Sequence, residues 1–211
     1  MARAHVDARD GLTGETLLGA LLAAGASVEA VDLAVASLGV GAVRLAIAWV
    51  DRAGQSACVA RVRAPEGTPD LPGWPRVRRL LEFAAVPDPV RDLAVAAMEG
   101  LVRTEAEVAG VGVDDLDLQP IGTLDTLSVI VATCAAVHEL GVEGVDAGPV
   151  GVGSGTVHGA LGAMEVPAPA VRALLDGFTV VSHPVAAELT DATGAALLAA
   201  IARPGSVAPP H

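Results

Sequence analysis

Val145-Asp146-Ala147-Gly148-Pro149-Val150-Gly151-Val152 runs directly into Gly153-Ser154-Gly155-Thr156-Val157. The first segment reads as a strand, the second as a glycine loop. Glycine lacks a Cβ, so its backbone reaches φ > 0 and can approach other groups closely. Val166-Pro167-Ala168-Pro169-Ala170 follows, and its prolines preset a helix start. Helix N-termini favour anions. This order predicts an α+β or α/β domain. It marks Gly153, Ser154, Gly155 and Thr156 as candidate contacts for a small-molecule or nucleotide-type ligand.

Outward from that stretch, Ala4-His5-Val6-Asp7 reads as an opening strand that ends in a carboxylate. Helical spacing follows over 16–24, with Thr13 or Gly14 as N-cap, and over 28–38 behind a Ser27 cap. Apolar runs at 43–50 and 56–62, joined by Asp51-Arg52-Ala53-Gly54-Gln55, predict a hairpin. Residues 64–75 hold four prolines and two glycines and form a loop insertion. Further helices are predicted at 75–83, at 89–110 with a break near Gly100, at 123–140, at 167–175 and at 193–201. Strands are predicted at 116–121 and 178–182. The whole is one domain over 1–202, with a mixed sheet, flanking helices and a disordered tail at 203–211.

A chain of 211 residues can bury one sizeable core. Hydrophobic residues make up 52 % and aromatics only 2 %, with no Tyr, so the core is built from Ala, Val and Leu. High Ala, Gly, Val and Arg usage without Lys fits a GC-rich bacterial genome. The formal charge of −12 repels phosphate backbones and argues against nucleic-acid binding. The one basic cluster, Arg76, Arg78 and Arg79, reads as a solvated helix end. No apolar run is long enough for a membrane span, and the first ten residues lack the apolar region of a signal peptide. The expected location is cytoplasmic, with Cys58 and Cys134 free and buried.

Three carboxylates stand out. Asp7 ends a strand before a turn and reads equally as a metal or substrate contact or as a cap for the 11–14 turn. Asp125 lies in the first turn of an apolar helix, where it also suits the helix dipole. Glu188 sits between Ala187 and Leu189. Burial there would raise its pKa and suit it to acid–base work, while a surface position would leave it inert. His158 follows the glycine loop, either facing a ligand or as a plain loop residue. No His pair has metal-site spacing, so no metal ligands are assigned.

Several segments in order resemble the N-terminal region of the LarC family, the nickel-insertion proteins of nickel-pincer nucleotide cofactor biosynthesis. They are Asp7-Ala8-Arg9-Asp10-Gly11-Leu12-Thr13-Gly14-Glu15-Thr16-Leu17-Leu18-Gly19-Ala20-Leu21-Leu22, Glu105-Ala106-Glu107-Val108-Ala109-Gly110 and Gly122-Thr123-Leu124-Asp125-Thr126. Gly153-Ser154-Gly155, Val166-Pro167-Ala168-Pro169-Ala170, and Glu188-Leu189 before Thr193-Gly194-Ala195-Ala196 complete the series. The order is kept from residue 5 to about 202. Most or all of the family's histidines are replaced. Ala109-Gly110 stands for a His-Gly, and Asp117-Leu118-Gln119-Pro120 for a His-x-His-Glu. The family's C-terminal region, linked to CTP use, has no counterpart in the match.

The resemblance implies nickel as the metal handled, with Asp7, Asp125 and Glu188 as retained acidic positions. It also implies a separate C-terminal LarC-like partner. Two other readings stand beside it. One is a repurposed scaffold doing metal-independent acid–base chemistry with Asp7, Asp125 or Glu188. The other is a non-catalytic assembly partner, for instance a homodimer through the apolar helix at 123–140. The motifs do not decide whether the chain is itself an enzyme.

Overall fold

The computed structural model describes residues 2–41, 43–52, 54–68, 71, 73–119, 121–159 and 162–204. The side chains of Ala2, Arg52, Gln55 and His158 are not among them. The reading of the His158 side chain, some of the 64–75 loop, and the tail at 205–211 therefore lie outside the described residues.

Strand β1 (Ala2–Ala8) leads into helix α1 (Gly14–Ala23) and helix α2 (Val28–Ala36). Thr13 caps α1 by accepting the Thr16 N–H at 3.1 Å, and Ser27 caps α2 by accepting the Ala30 N–H at 3.2 Å. The expected hairpin is present as β2 (Arg44–Arg52) and β3 (Gln55–Arg63). Helices α3 (Trp74–Phe83), α4 (Asp88–Ala109) and α5 (Leu124–Glu139) follow. α4 passes through Gly100 without a break, because its apolar face packs continuously from Val90 to Ala106. The strand expected at 116–121 does not form. Val113–Asp115 makes a short 3-10 turn instead, and the Asp117 carboxylate accepts the Gln119 N–H at 3.1 Å, which bends the chain.

Strand β4 (Val142–Val152) is the centre of a parallel sheet. β1 pairs along one edge of it, from Ala2 opposite Val142 to Ala8 opposite Val150. A second antiparallel hairpin, β5 (Gly155–Gly159) and β6 (Gly162–Val166), was not legible in the sequence. After it come α6 (Pro169–Leu174), β7 (Val180–Ser182), α7 (Ala192–Ile201) and β8 (Ala202–Arg203). β7 and β8 both pair with β4 in parallel, at its C-terminal and N-terminal halves. The architecture is α/β, with parallel and antiparallel strands and helices around the sheet.

α5 is the core. Every residue from 127 to 137 is buried, and α1, α2, α4 and α7 all pack on it. That helix therefore has no free face for a second chain. Its buried residues are Val, Ile, Ala and Leu with Ser128, Thr133 and Cys134 among them, and none is aromatic. Cys134 is buried within it and Cys58 is half-buried, and neither forms a disulfide. No helix of the described residues is long and apolar enough to cross a membrane.

Two glycines separate packing from propensity. A Cβ at Gly151 would lie 1.9 Å from the Arg9 carbonyl oxygen, whereas one at Gly100 would meet nothing within 4 Å. Gly151→Ala should lower Tm by more than about 5 °C, from an overpacking cost of about 1–3 kcal/mol. Gly100→Ala should raise Tm, because Ala suits an open helix position better by about 0.5–1 kcal/mol. Scanning calorimetry of the two variants checks this, and shifts of the same sign would refute it.

Candidate functional site

The carboxyl ends of β1, β4 and β7 lie side by side, since all three strands run in parallel. In open parallel sheets this edge is the usual place for a site. Here it is tied together by backbone. The His183 N–H donates to the Val152 carbonyl at 2.8 Å, and the His183 ring Nε2 bonds the Arg9 carbonyl at 2.8 Å. That contact fixes Nε2 as the protonated nitrogen, because a carbonyl only accepts. The Ser154 hydroxyl donates to the His183 carbonyl at 2.8 Å, and the Ser154 N–H to the Val185 carbonyl at 2.9 Å. A Cβ at Gly153 would fall 1.9 Å from the Ala187 carbonyl oxygen.

The four glycine-loop candidates thus divide. Gly153 and Ser154 face the 183–187 segment. Gly155, with φ +93° and open space around it, and the exposed Thr156 begin the β5–β6 hairpin.

The three candidate carboxylates have three different settings. Asp7 is exposed, takes the Arg9 N–H at 3.3 Å and lies 3.6 Å from the Arg9 guanidinium. Asp125 accepts the Ala64 N–H at 2.5 Å through Oδ1, and its Oδ2 is 3.9 Å from Arg63. Glu15 does the same two residues back along the strand. It takes the Val62 N–H at 3.0 Å, Arg63 at 2.7 Å and Arg61 at 3.0 Å. Asp125 and Glu15 therefore serve as partners for the outer edge of β3.

Glu188 is different. It is exposed at the surface and forms no hydrogen bond or ion pair among the described residues. Burial first, and then the negative charges of Asp191 and Glu105, hold its carboxyl above the ordinary carboxylate range. Burial raises Glu105 as well. Asp191 is also raised by burial, although it caps α7 by accepting the Gly194 N–H at 2.6 Å.

Glu105 stands in one of the sequence motifs but was not singled out there as a site residue. It lines a cleft of about 400 Å³ together with Ala109, Asp115, Asp117, Gln119 and Ile121. This cleft gathers positions where the resembled family carries histidine, namely Ala109, Asp117 and Gln119. Glu105 and Glu188 are far apart in sequence and come together only when α4 packs beside α7. Among the described residues no three His, Cys, Asp or Glu side chains are grouped so as to hold a metal ion. The cleft offers oxygen donors in an incomplete set.

A family model described as nickel insertion protein matches residues 4–211. The pyridinium-3,5-bisthiocarboxylic acid mononucleotide nickel insertion protein of Nocardioides sp. is 38 % identical over 202 residues, which cover 96 % of this chain and 51 % of that protein. Two relatives whose names also refer to nickel insertion come from Thermomicrobium roseum and Syntrophobacter fumaroxidans. The first is 35 % identical over 206 residues, covering 96 % of this chain and 50 % of its own length. The second is 33 % identical over 202 residues, covering 96 % and 52 %. The chain spans about half the length of the curated relatives it matches. No solved structure matches it.

The raised carboxyls make a pH prediction. Between the ordinary carboxylate value and the raised one, the folded state holds more protons than the unfolded state. Stability from Glu105 and Glu188 therefore falls as pH rises through that window, and is unaffected below the ordinary value. Glu188→Gln should raise Tm at pH 7.5, and the gap to wild type should close near pH 4.5. A gap of equal size at both pH values would contradict the assignment.

Proposed function

Because this chain belongs to the nickel insertion protein family, we propose that it handles nickel as cargo, in the cleft beside Glu105 and Glu188, on the way to a thiocarboxylate-bearing pyridinium mononucleotide. The observation that carries this reading is the cleft, which sets Glu105 beside Asp115, Asp117 and Gln119. Glu105 is half-buried there, and the exposed Glu188 lies near enough for the charge of Glu105 to help raise its carboxyl, after burial and Asp191. A divalent ion would relieve that repulsion directly.

The donor set fits a carrier better than a resident site. Oxygen donors suit harder ions and bind nickel less firmly than imidazole or sulfur. Glu105 and Glu188 alone leave coordination positions open. The sulfur atoms of the acceptor would complete the set and then outcompete the oxygens, so that the ion moves one way. The carboxylates must be ionised to bind, so nickel and protons compete at Glu105 and Glu188. The acceptor's phosphate and thiocarboxylates are anionic, and Arg61 and Arg63 on β3 are cations held in place by Glu15. Gly155 and Thr156 remain candidates for contact with the mononucleotide, at the open start of the β5–β6 hairpin.

Metal-independent acid–base catalysis has no support in these settings. Asp125 is engaged with the β3 edge and Asp7 with Arg9. The rest of the relatives' length, whether supplied by a separate partner or otherwise, belongs to the full reaction.

The test is calorimetric titration of Ni(II) with and without pyridinium-3,5-bisthiocarboxylic acid mononucleotide, in the presence of the C-terminal half of the Nocardioides relative. Nickel should bind weakly to the chain alone and at least about tenfold more tightly with the nucleotide present. The double variant Glu105→Gln/Glu188→Gln should lose the weak site and slow transfer by about tenfold or more. Equal binding and transfer by wild type and double variant would overturn the reading.

A further inference from the structure

The β2–β3 hairpin forms a sheet of its own, and only one of its edges is closed. α1 lies along β3 at a distance that only glycine allows, since a Cβ at Gly19 would come within 2.4 Å of the Cys58 carbonyl oxygen. The Val62 and Ala64 N–H groups turn away from β2 and donate to Glu15 and Asp125 at 3.0 and 2.5 Å. Val62 is the register partner of Leu45. Opposed residues of an antiparallel ladder turn their backbone groups the same way, both inward or both outward. Leu45 therefore points its N–H and C=O away from β3, and so by the period of two do Ile47, Trp49 and Asp51.

Among the described residues nothing bonds those groups. The open edge is not guarded either. Between Arg44 and Asp51 it reads Leu-Ala-Ile-Ala-Trp-Val, without proline or charge. Trp49 is 60 % exposed there, in a chain with only two Trp and two Phe. A long, apolar, unguarded edge templates another strand, and a two-stranded hairpin gains stability from further strands.

The geometry points to a second copy of this chain as the occupant, with β2 pairing antiparallel to its own counterpart about a two-fold axis at Ile47. Backbone parity allows outward residues to face only outward residues, so the axis falls on Ile47 or on a neighbouring position. An axis at Ala48 sets Arg44 opposite the partner's Arg52 and Leu45 opposite the partner's Asp51. An axis at Trp49 sets Ala46 opposite the partner's Arg52 and leaves Leu45 without a counterpart. With the axis at Ile47, Leu45 faces the partner's Trp49, Ala46 faces the partner's Ala48, and Ile47 faces the partner's Ile47. From Leu45 to Trp49 the seam is then apolar, small residues oppose small ones, Arg44 faces the partner's Val50, and about six backbone hydrogen bonds close the edge. The interface is isologous, as a two-fold dimer requires. The result is a four-stranded sheet with α1 on each outer edge.

Sedimentation equilibrium should show a concentration-dependent monomer–dimer transition for the wild-type chain. Ile47→Pro removes the outward N–H at a position where an edge strand tolerates proline, and should weaken the dimer by about tenfold or more. The register has its own test in a Cys58→Ser background. Oxidising a mixture of the Ala46→Cys and Ala48→Cys proteins should give a disulfide-linked dimer far faster than either protein alone, because only the mixture puts two cysteines directly opposite. A monomer at every concentration, or a dimer insensitive to Ile47→Pro, would overturn the proposal. So would cross-linking that is no faster in the mixture.

Discussion

Three backbone segments meet at the carboxyl ends of the parallel sheet with no room for side chains between them, and the rest of the molecule is arranged around that contact. The buried Thr190 hydroxyl sits at the junction. It accepts the Leu12 N–H at 3.0 Å and donates to the Gly151 carbonyl at 2.7 Å. Gly11 lies against the Leu189 carbonyl, Gly151 against that of Arg9, Gly153 against that of Ala187, and Gly194 against that of Leu12. These positions bring the start of α1, the end of β4 and the start of α7 into register. Glu188 lies within this clamp, between Ala187 and Leu189.

The same economy governs the β3 edge. A strand edge beside a helix leaves donors that the helix cannot accept, and a buried unpaired N–H costs about 1–3 kcal/mol. Glu15 from α1 and Asp125 from α5 supply the missing acceptors. Arg63 reaches both carboxylates and balances their charge. Carboxylates in such a role are held by geometry and are poorly suited to proton transfer. Glu105 and Glu188 have no such partner among the described residues.

Much of the fold was legible because its signals are local. The Asp51–Gln55 turn between two apolar runs predicted β2 and β3, and Thr13 and Ser27 predicted the starts of α1 and α2. Gly100 suggested a break that did not occur, since one glycine costs only about 1 kcal/mol in a helix otherwise well packed. The β5–β6 hairpin was missed because Gly162-Ala163-Met164-Glu165 lacks the β-branched residues that mark strands. The site was only partially legible. Glu188 was named from its apolar neighbours, but its coupling to Glu105 depends on tertiary packing that no spacing rule reveals. Gly153 and Ser154 drew attention as ligand contacts, and their close approach is to the protein's own 183–187 backbone.

The central claim is that Glu105 and Glu188 hold nickel through oxygen while the acceptor nucleotide supplies sulfur. X-ray absorption at the nickel edge tests it most directly, on the wild-type chain loaded with nickel and nucleotide and on the Glu105→Gln/Glu188→Gln variant. The account predicts mixed oxygen and sulfur scattering in the wild type, with the carboxylate oxygen contribution lost in the variant. Identical spectra from the two proteins would contradict it.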